Sequence, residues 1–353
     1  MAWTLRLSKL NLIVMLLEAP MPKNISRRTA LAAIMGTIAA PAIGQQALDR
    51  FSFGTNWLPD TERGGFYQAQ AAGIFRKYGL DVTIQAGGPQ LNNPQLLVAG
   101  RLDGVMITSS IEAFNYASNN VPLVTVAAIY QKSPQILVGH ASSGVRTLEE
   151  LRGKPIWIAA LARNGYWQWL KAKYGFTDDQ IRPYTFNLGP FMANNTMIQQ
   201  GFVTAEPFQI SQAGVEPVVF LLADNGFNDF GGIITIRRET LETRRDVAQR
   251  FVHAVSEGWR DFMFGDATPA LMLIKSINDR QTDPIIANSH KVMRERELIH
   301  GGEGRRGIGF MTAQRWTDIF ETMSGAGIVP KGDYWRNAFD TSLLGPGLAM
   351  PPA

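Results

Sequence analysis

Apolar and polar positions alternate along residues 51–259 in the order expected for strands that are followed by helices. The clearest unit begins with the apolar run Phe51–Thr55, continues into a segment with small and aromatic residues on one helical face, and ends in the strand Asp81–Gln85. The same order returns after Thr147, and helical spacing dominates from Arg244 onward. The pattern therefore predicts an α/β fold with parallel-type sheets and a helical C-terminal tail.

Two blocks of alternating strands and helices predict two lobes. About 300 residues follow the N-terminal segment, a length that usually divides into two domains. Strand Ile233–Ile236 can carry the chain back to the first block, with crossings near Gly139 and Gly231. We therefore assign residues 45–138 and 232–353 to the first lobe and residues 139–231 to the second.

Residues that directly follow a predicted strand are candidates for ligand contacts, because α/β sheets bind ligands at the carboxyl ends of strands, near helix N-termini. Asn56 and Trp57 follow the first strand, and Gly88 lies in the turn after the second. Thr108 and Ser109 follow the next buried strand, where their hydroxyls can bind a ligand or cap a helix. The ring of Trp57 can stack on a flat ligand or seal the core; the sequence leaves both interpretations open.

The second block has turns of the same kind. Asn164 and Tyr166 lie at the start of a predicted helix, and Asn187 follows a later strand. Glu206 lies at the same rim and can accept a hydrogen bond from a ring N–H or serve as a structural carboxylate. Tyr130 ends a strand near the predicted hinge. One helix cannot present the aromatic residues 166, 167 and 169 to a cleft together, so at least one should be core.

The N-terminal segment is typical of a bacterial export signal. Arg27 and Arg28 form a twin-arginine pair, the apolar run Ala30–Ala40 follows, and Ala40-Pro41-Ala42 offers a cleavage site. The run is shorter than the ~20 residues that span a bilayer. We therefore predict a twin-arginine signal within residues 1–44, translation from Met21, and a periplasmic product.

Charge and composition exclude several classes of site. The net charge of +4 is concentrated in residues 1–44, which hold five basic side chains and one acidic side chain. The remainder is near neutral, so no nucleic-acid partner is predicted. The absence of cysteine excludes disulfides, thiolate metal sites and a cysteine nucleophile. The four histidines are scattered and predict no metal site, and no cofactor is expected.

One glycine motif has the letters of a dinucleotide fingerprint, Gly302-x-Gly304-x-x-Gly307. That fingerprint requires a strand before it and a helix after it. Here a charged segment precedes the glycines, so we interpret them as a loop. No Gly-x-Ser-x-Gly elbow occurs either. The sequence therefore favours a protein that is not an enzyme.

Four short motifs together resemble a known family. They are Gly-Leu-Asp-Val at 79–82, Leu-Arg-Gly-Lys at 151–154, Glu-Pro-Phe at 206–208 and the strand 232–236. In this order, between about residues 51 and 259, they resemble the solute-binding proteins of ABC importers in the group of nitrate, sulfonate and thiamine-pyrimidine binders. The resemblance implies a two-lobed, type II periplasmic-binding-protein-like clamp that closes on a small molecule. It also implies a monomer whose partners are an ABC permease and its ATPase.

The chain departs from this family at the first loop. Asn56-Trp57 matches the Asn-Trp of thiamine-pyrimidine relatives, but Glu62-Arg63-Gly64 stands where a histidine is typical. Arg63 can hold a carboxylate or sulfonate through two hydrogen bonds, or it can be a solvated loop arginine. An intracellular branch of the family synthesises the pyrimidine with a lysine, a histidine and a cysteine cluster. Residues 104–110 contain neither lysine nor histidine, and residues 226–236 contain no cysteine.

These observations predict a periplasmic binding protein that captures a small flat solute and delivers it to an ABC permease. The solute is heteroaromatic, resembling the thiamine pyrimidine, or it is an anion. Two alternatives stay open: an exported or pyrimidine-synthesising enzyme on the same scaffold, and a ligand-sensing partner of a signalling receptor.

Overall fold

A computed structural model describes residues 47–88 and 91–352. The predicted export signal lies outside these residues. The described chain forms two five-stranded sheets with helices around them and a helical C-terminal region. It is the two-lobed α/β architecture that the sequence predicts. None of the described helices is both long and apolar enough to cross a membrane.

The first sheet has the order β2-β1-β3-β10-β4. Its central strands are apolar because both faces are covered, and β3 and β4 are buried along their whole length. Strand β1 is parallel to β2 and β3, whereas β10 is antiparallel to β3 and β4. The strands are β1 (Asp49–Gly54), β2 (Leu80–Gln85), β3 (Gly104–Ile107), β4 (Leu123–Tyr130) and β10 (Gly231–Arg237).

The second sheet has the order β7-β6-β8-β5-β9. Strand β6 is parallel to β7 and β8, and β5 is antiparallel to β8 and β9. Both sheets are therefore mixed, and the prediction of parallel-type sheets is wrong for β10 and β5, the strands that follow the crossings. The strands are β5 (Gln135–His140), β6 (Ile156–Ile158), β7 (Ile181–Pro183), β8 (Ile198–Phe202) and β9 (Pro217–Leu221).

Twelve α-helices lie in the described residues, and the last four form the predicted helical tail. They are α1 (Gly64–Ala71), α2 (Ile74–Lys77), α3 (Asn93–Val98), α4 (Ser110–Ser118), α5 (Tyr166–Tyr174), α6 (Gly189–Ala193), α7 (Glu206–Gln212), α8 (Arg238–Thr243), α9 (Arg245–Phe264), α10 (Thr268–Ile277), α11 (Asp283–Glu295) and α12 (Ala313–Gly325).

The crossings between the sheets lie close together. Strand β5 pairs with β8 from its first residue, Gln135. The predicted lobe boundary between residues 138 and 139 therefore falls inside a strand of the second sheet, and the crossing lies earlier, at 131–134. The chain returns at the start of β10, where Gly231 pairs with Tyr130. The rest of the proposed division into lobes stays a prediction.

Helices α1 and α9 pack unusually closely because glycines lie at their contact. A Cβ on Gly65 would lie 2.1 Å from the ring of Trp259, and one on Gly258 would lie 2.4 Å from the carbonyl oxygen of Gly65. Trp259 itself is fully buried. This contact holds the start of α1, and with it the preceding loop, against the long helix of the tail.

Replacing Gly65 with Ala should lower the free energy of unfolding by ~1–3 kcal/mol, because the added methyl group forces Trp259 out of its place. The matched control is Gly325→Ala, since a Cβ there meets nothing within 4 Å. That change should leave stability equal or raise it by ~0.5–1 kcal/mol. Urea unfolding measures the free energy of unfolding of both variants. Equal changes in Gly65→Ala and Gly325→Ala would contradict the close packing of α1 against α9.

Candidate ligand-binding site

A cavity of about 560 Å³ lies where the loops of both sheets meet. Its size falls within the range of small-molecule pockets, ~300–1,000 Å³. The structure brings most of the predicted site residues into its wall. These are Asn56, Trp57, Arg63, Thr108, Ser109, Tyr166 and Glu206.

Four predicted site residues do not line this cavity. Asn164 is exposed, and Gly88 is buried beside Leu58. Asn187 is exposed and lies two residues before α6, where its Oδ1 accepts a hydrogen bond from the Gly189 N–H at 2.8 Å. Tyr130 lies behind the wall, next to a smaller cavity. The structure therefore does not bring these four residues into the main cavity, and their contact with a ligand stays a prediction.

Aromatic rings from the two lobes meet at the cavity. The ring of Trp57 lies 4.5 Å from that of Phe186, centroid to centroid, and the ring of Tyr184 lies 4.9 Å from Phe186. All three line the cavity and are half-buried. Phe186 adopts a φ of 57°, which is rare outside glycine. The chain thus accepts an unusual backbone conformation where it places this ring opposite Trp57.

The turn that carries Asn56 and Trp57 depends on a close backbone approach. Gly87 donates its N–H to the Trp57 carbonyl oxygen at 3.0 Å, and a Cβ at this position would lie 2.4 Å from the Thr55 carbonyl oxygen. The Thr55 hydroxyl also donates to the Trp57 carbonyl, at 2.8 Å. Only glycine fits at position 87, and it fixes the direction in which Trp57 leaves β1.

Arg63 is buried, so its interpretation as a solvated loop arginine is wrong. Only 3% of its surface is exposed. Its Nη1 donates to both carboxylate oxygens of Asp60, at 2.8 and 3.1 Å, and its Nε donates to Asn56 Oδ1 at 3.0 Å. Asn56 in turn donates from Nδ2 to the Thr108 hydroxyl at 3.3 Å. The guanidinium therefore ties the first loop to the end of β3.

Glu62 connects the two lobes. One of its carboxylate oxygens accepts a hydrogen bond from the hydroxyl of Thr204, which follows β8 of the second sheet. Its backbone carbonyl accepts the hydroxyl hydrogen of Tyr130 at 2.9 Å. Both side chains are buried. Glu62 belongs to the segment in which the sequence resemblance leads us to expect a histidine. In this chain it is part of a contact between the two lobes.

The hydroxyls after β3 act as helix caps. Ser109 accepts the Ile111 N–H at 3.1 Å and donates to Asp229 at 2.8 Å. Ser110 also bonds to Asp229 through its N–H and its hydroxyl. These bonds satisfy the first N–H groups of α4, as the capping interpretation predicts. Ser109 still lines the cavity, and its contact with a ligand stays a prediction.

Only the first of the three neighbouring aromatic residues in α5 faces the cavity. Tyr166 lines it. Trp167 and Trp169 are buried in the core of the second lobe, where Trp167 donates its Nε1–H to Asp178 and Trp169 packs against Phe227. This arrangement agrees with the prediction that at least one of the three is core.

The glycine motif near residue 302 has no strand before it. A 3₁₀-helix, Gly302–Arg306, follows the turn after α11. A Cβ on Gly304 would lie 2.3 Å from the carbonyl oxygen of Ile299. The motif is therefore a local turn rather than a dinucleotide-binding element.

A comparison with protein families assigns the chain. The family described as NMT1/THI5 like matches residues 60–265, more than half of the sequence. The chain belongs to the NMT1/THI5-like family. The predicted resemblance to solute-binding proteins of ABC importers, in the group that includes sulfonate and thiamine-precursor binders, is confirmed.

Individual relatives are distant. Riboflavin-binding protein RibY of Chloroflexus aurantiacus is 23% identical over 318 residues, which cover 87% of this chain and 89% of RibY. The periplasmic aliphatic sulphonate binding protein SsuA from Escherichia coli has a TM-score of 0.61 at 14% identity, covering 86% of this chain and 94% of SsuA. The desulfurization enzyme DSZB has a TM-score of 0.53 at 10% identity, covering 84% and 97%. The two solved structures show the shared fold.

Several wall residues of this NMT1/THI5-like chain escaped sequence reasoning. Tyr184 and Phe186 follow β7 in the sequence, two positions apart. This period-2 spacing could have revealed them as side chains on one face. Strand β8 was missed because its sequence, Ile-Gln-Gln-Gly-Phe, is half polar. The segment from Asn278 to Ser289 lines the cavity from the helical tail, and no motif marks it. The remaining wall residues not predicted include Asp60, Glu62, Glu112, Gln135, Gln200 and Phe202.

Two wall carboxyl groups are partly protonated near neutral pH. Burial raises the pKa of Glu206 to about 7, although its carboxylate accepts the Phe202 N–H at 2.7 Å. Burial raises the pKa of Glu112 to about 7 as well, although its carboxylate accepts the Thr108 N–H at 3.1 Å, a bond that lowers the pKa. Gly201 makes room for Glu206, since a Cβ there would lie 2.8 Å from its carboxylate.

The raised pKa of Glu206 predicts that stability falls as pH rises. The native state holds the proton more tightly than the unfolded chain, whose carboxyl has the ordinary pKa of 4.5. The stabilisation is therefore complete below pH 4.5 and is lost as pH rises through about 7. Glu206→Gln keeps the acceptor for Phe202 and should shrink the difference in unfolding free energy between pH 5 and pH 8 by on the order of 1 kcal/mol.

Urea unfolding at the two pH values measures this difference. The matched control is Glu216→Gln, which changes an exposed carboxylate and should leave the difference as in the wild type. An unchanged difference in Glu206→Gln would show that this carboxyl does not titrate as its burial requires.

Proposed function

We propose that this protein is the solute-binding component of an ABC importer and that its ligand is a flat, uncharged heteroaromatic molecule. The observation that carries the proposal is the aromatic surface of Trp57, Phe186 and Tyr184 at one cavity, beside amide and carboxyl groups. Rings that stack on aromatic side chains gain ~0.5–1.5 kcal/mol beyond burial. The distant relative RibY, a riboflavin-binding protein, supports the same class of ligand.

The charges in the wall disfavour an anionic ligand. Four carboxyl groups line the cavity, those of Asp60, Glu62, Glu112 and Glu206. Of the two basic residues in the wall, Arg63 is already paired with Asp60 and Arg280 is exposed at the rim. A nitrate or sulfonate would therefore find little positive charge in the wall that is free to pair with it. We prefer the heteroaromatic ligand to the anion for this reason.

Two alternative functions use the same scaffold. The wall of the cavity, as far as the described residues form it, contains no lysine or histidine, which are groups that the pyrimidine-synthesising branch needs. That composition favours binding over catalysis, and it is equally compatible with a ligand-sensing role. Delivery to a permease and its ATPase, a periplasmic location and a monomeric state are part of the proposal.

A ligand screen tests the proposed class. The protein is melted in the presence of riboflavin, the thiamine pyrimidine, taurine and nitrate, each alone. A ligand at a hundred times its dissociation constant should stabilise the fold by ~2.7 kcal/mol. We expect a ring compound to raise Tm, and we expect nitrate and the zwitterionic sulfonate taurine to leave it unchanged. A shift with taurine or nitrate alone would contradict the proposal, and recovery of the ligand unchanged separates binding from catalysis.

Replacing Trp57 with Ala should weaken binding of the ring compound about tenfold, because it removes stacking and buried apolar surface. The control is Trp57→Phe, which keeps an aromatic ring and should retain most of the affinity. Titration of intrinsic fluorescence gives both dissociation constants, and circular dichroism shows whether each variant is folded. Loss of the fold in Trp57→Ala would instead assign this ring to the core.

A further inference from the structure

Gln135 places an unused amide in the wall of the cavity. It is the first residue of β5, and only 8% of its surface is exposed. Its carbonyl oxygen has no hydrogen-bond partner among the described residues. The residue lines both the main cavity and the adjoining cavity of about 20 Å³. A buried carbonyl without a partner destabilises a fold, so this position holds a polar group that the fold itself does not use.

Asn56 and Gln200, two of the other amides in the same wall, already have partners. Asn56 accepts from Arg63 at 3.0 Å through its Oδ1. Gln200 accepts the backbone N–H of Ala159 at 2.6 Å through its Oε1. Their carbonyl oxygens are occupied by the protein, whereas the carbonyl of Gln135 has no partner among the described residues.

We infer that Gln135 is a specificity-determining residue and that it pairs with a ring edge carrying an N–H beside a C=O. A primary amide has an acceptor and donors side by side. When the side-chain amide rotates so that its buried oxygen faces the cavity, its carbonyl can accept the ring N–H while its NH₂ group donates to the ring carbonyl, and the two parallel bonds orient the ring. The ligand class is therefore a cyclic amide or imide. This inference rests on the proposed function and narrows its ligand.

The unpaired carbonyl of Gln135 distinguishes ligands that carry a ring N–H from ligands that lack it. A ligand that lacks the ring N–H leaves the carbonyl of Gln135 buried and unpaired, and sites built to bond a ligand N–H strongly reject analogues without it. The aromatic side chains of the wall can stack equally well on a ligand with the ring N–H and on an analogue without it. Stacking by Trp57 therefore sets affinity, and Gln135 sets which ring edge is accepted.

A second glutamine provides a matched control. Gln199 in β8 is fully buried, and its carbonyl oxygen also lacks a partner among the described residues. Unlike Gln135, it does not line the cavity. Replacing either residue with Leu removes a buried, unpaired carbonyl. Only the change at 135 should alter the choice of ligand.

The experiment uses riboflavin, which has an imide edge, and 3-methylriboflavin, in which a methyl group replaces the imide hydrogen. Dissociation constants are measured by fluorescence titration for the wild type, Gln135→Leu and Gln199→Leu. We expect the wild type to bind riboflavin at least about tenfold more tightly than its methyl derivative. Gln135→Leu should lose affinity for riboflavin and bring this ratio to about one. Gln199→Leu should keep the wild-type ratio.

A second variant guards against misfolding of the first. Gln135→Glu keeps the shape of the side chain and removes the NH₂ donors, so it should also bind riboflavin more weakly than the wild type. Equal binding of both flavins by the folded wild type would overturn the inference and leave the proposed function standing. A wild-type ratio in Gln135→Leu would overturn it too. If the wild type binds neither flavin, thymine and 3-methylthymine replace them, and failure of both pairs overturns this inference. The proposed function is overturned as well only if the thiamine pyrimidine also leaves Tm unchanged.

Discussion

A buried guanidinium must be surrounded by hydrogen-bond acceptors. The acceptors of Arg63 fix the loop after β1, which forms the first lobe's side of the site. Removing such a charge from water is costly unless it is paired and hydrogen-bonded. Asp60 and Asn56 supply the acceptors. Since Asn56 also bonds to Thr108, the loop after β1 is fixed to the end of β3. Trp57 is held between these anchors, and its ring is presented from a rigid loop.

The second lobe is joined to this anchored loop by polar contacts. Thr204 bonds to Glu62 through its hydroxyl, and its backbone carbonyl accepts the Ser289 hydroxyl of α11 at 2.8 Å. The helical tail therefore contacts both sides of the cavity. Behind the loop, the glycine contact between α1 and α9 allows the tail to approach closely. Packing at Gly65 and polar bonding at Glu62 thus act on the same short segment from opposite sides.

The sequence predicts the scaffold better than it predicts the wall of the cavity, and there is a physical reason for the difference. Strand β3 is recognisable because both of its faces are buried and its residues are apolar. Strand β8 is not, because Gln200 faces the cavity and Gln199 is buried without an apolar side chain. Polarity that serves a site weakens the pattern that identifies a strand. Residues from 278 to 289 reach the cavity only through tertiary packing, which local patterns do not encode.

Under the proposed function, the cavity separates the source of affinity from the source of selectivity. Aromatic surface attracts any flat ring, so it cannot distinguish one heterocycle from another. Because Arg63 is paired with Asp60, the wall offers anions of every shape little free positive charge, and attraction between charges is non-directional. Discrimination among neutral rings requires a directional group that the protein has not already used. Arg63 and Asn56 are committed to holding the loop, and Gln200 of β8 accepts the Ala159 N–H. Gln135 of β5 is a directional group whose carbonyl has no partner among the described residues.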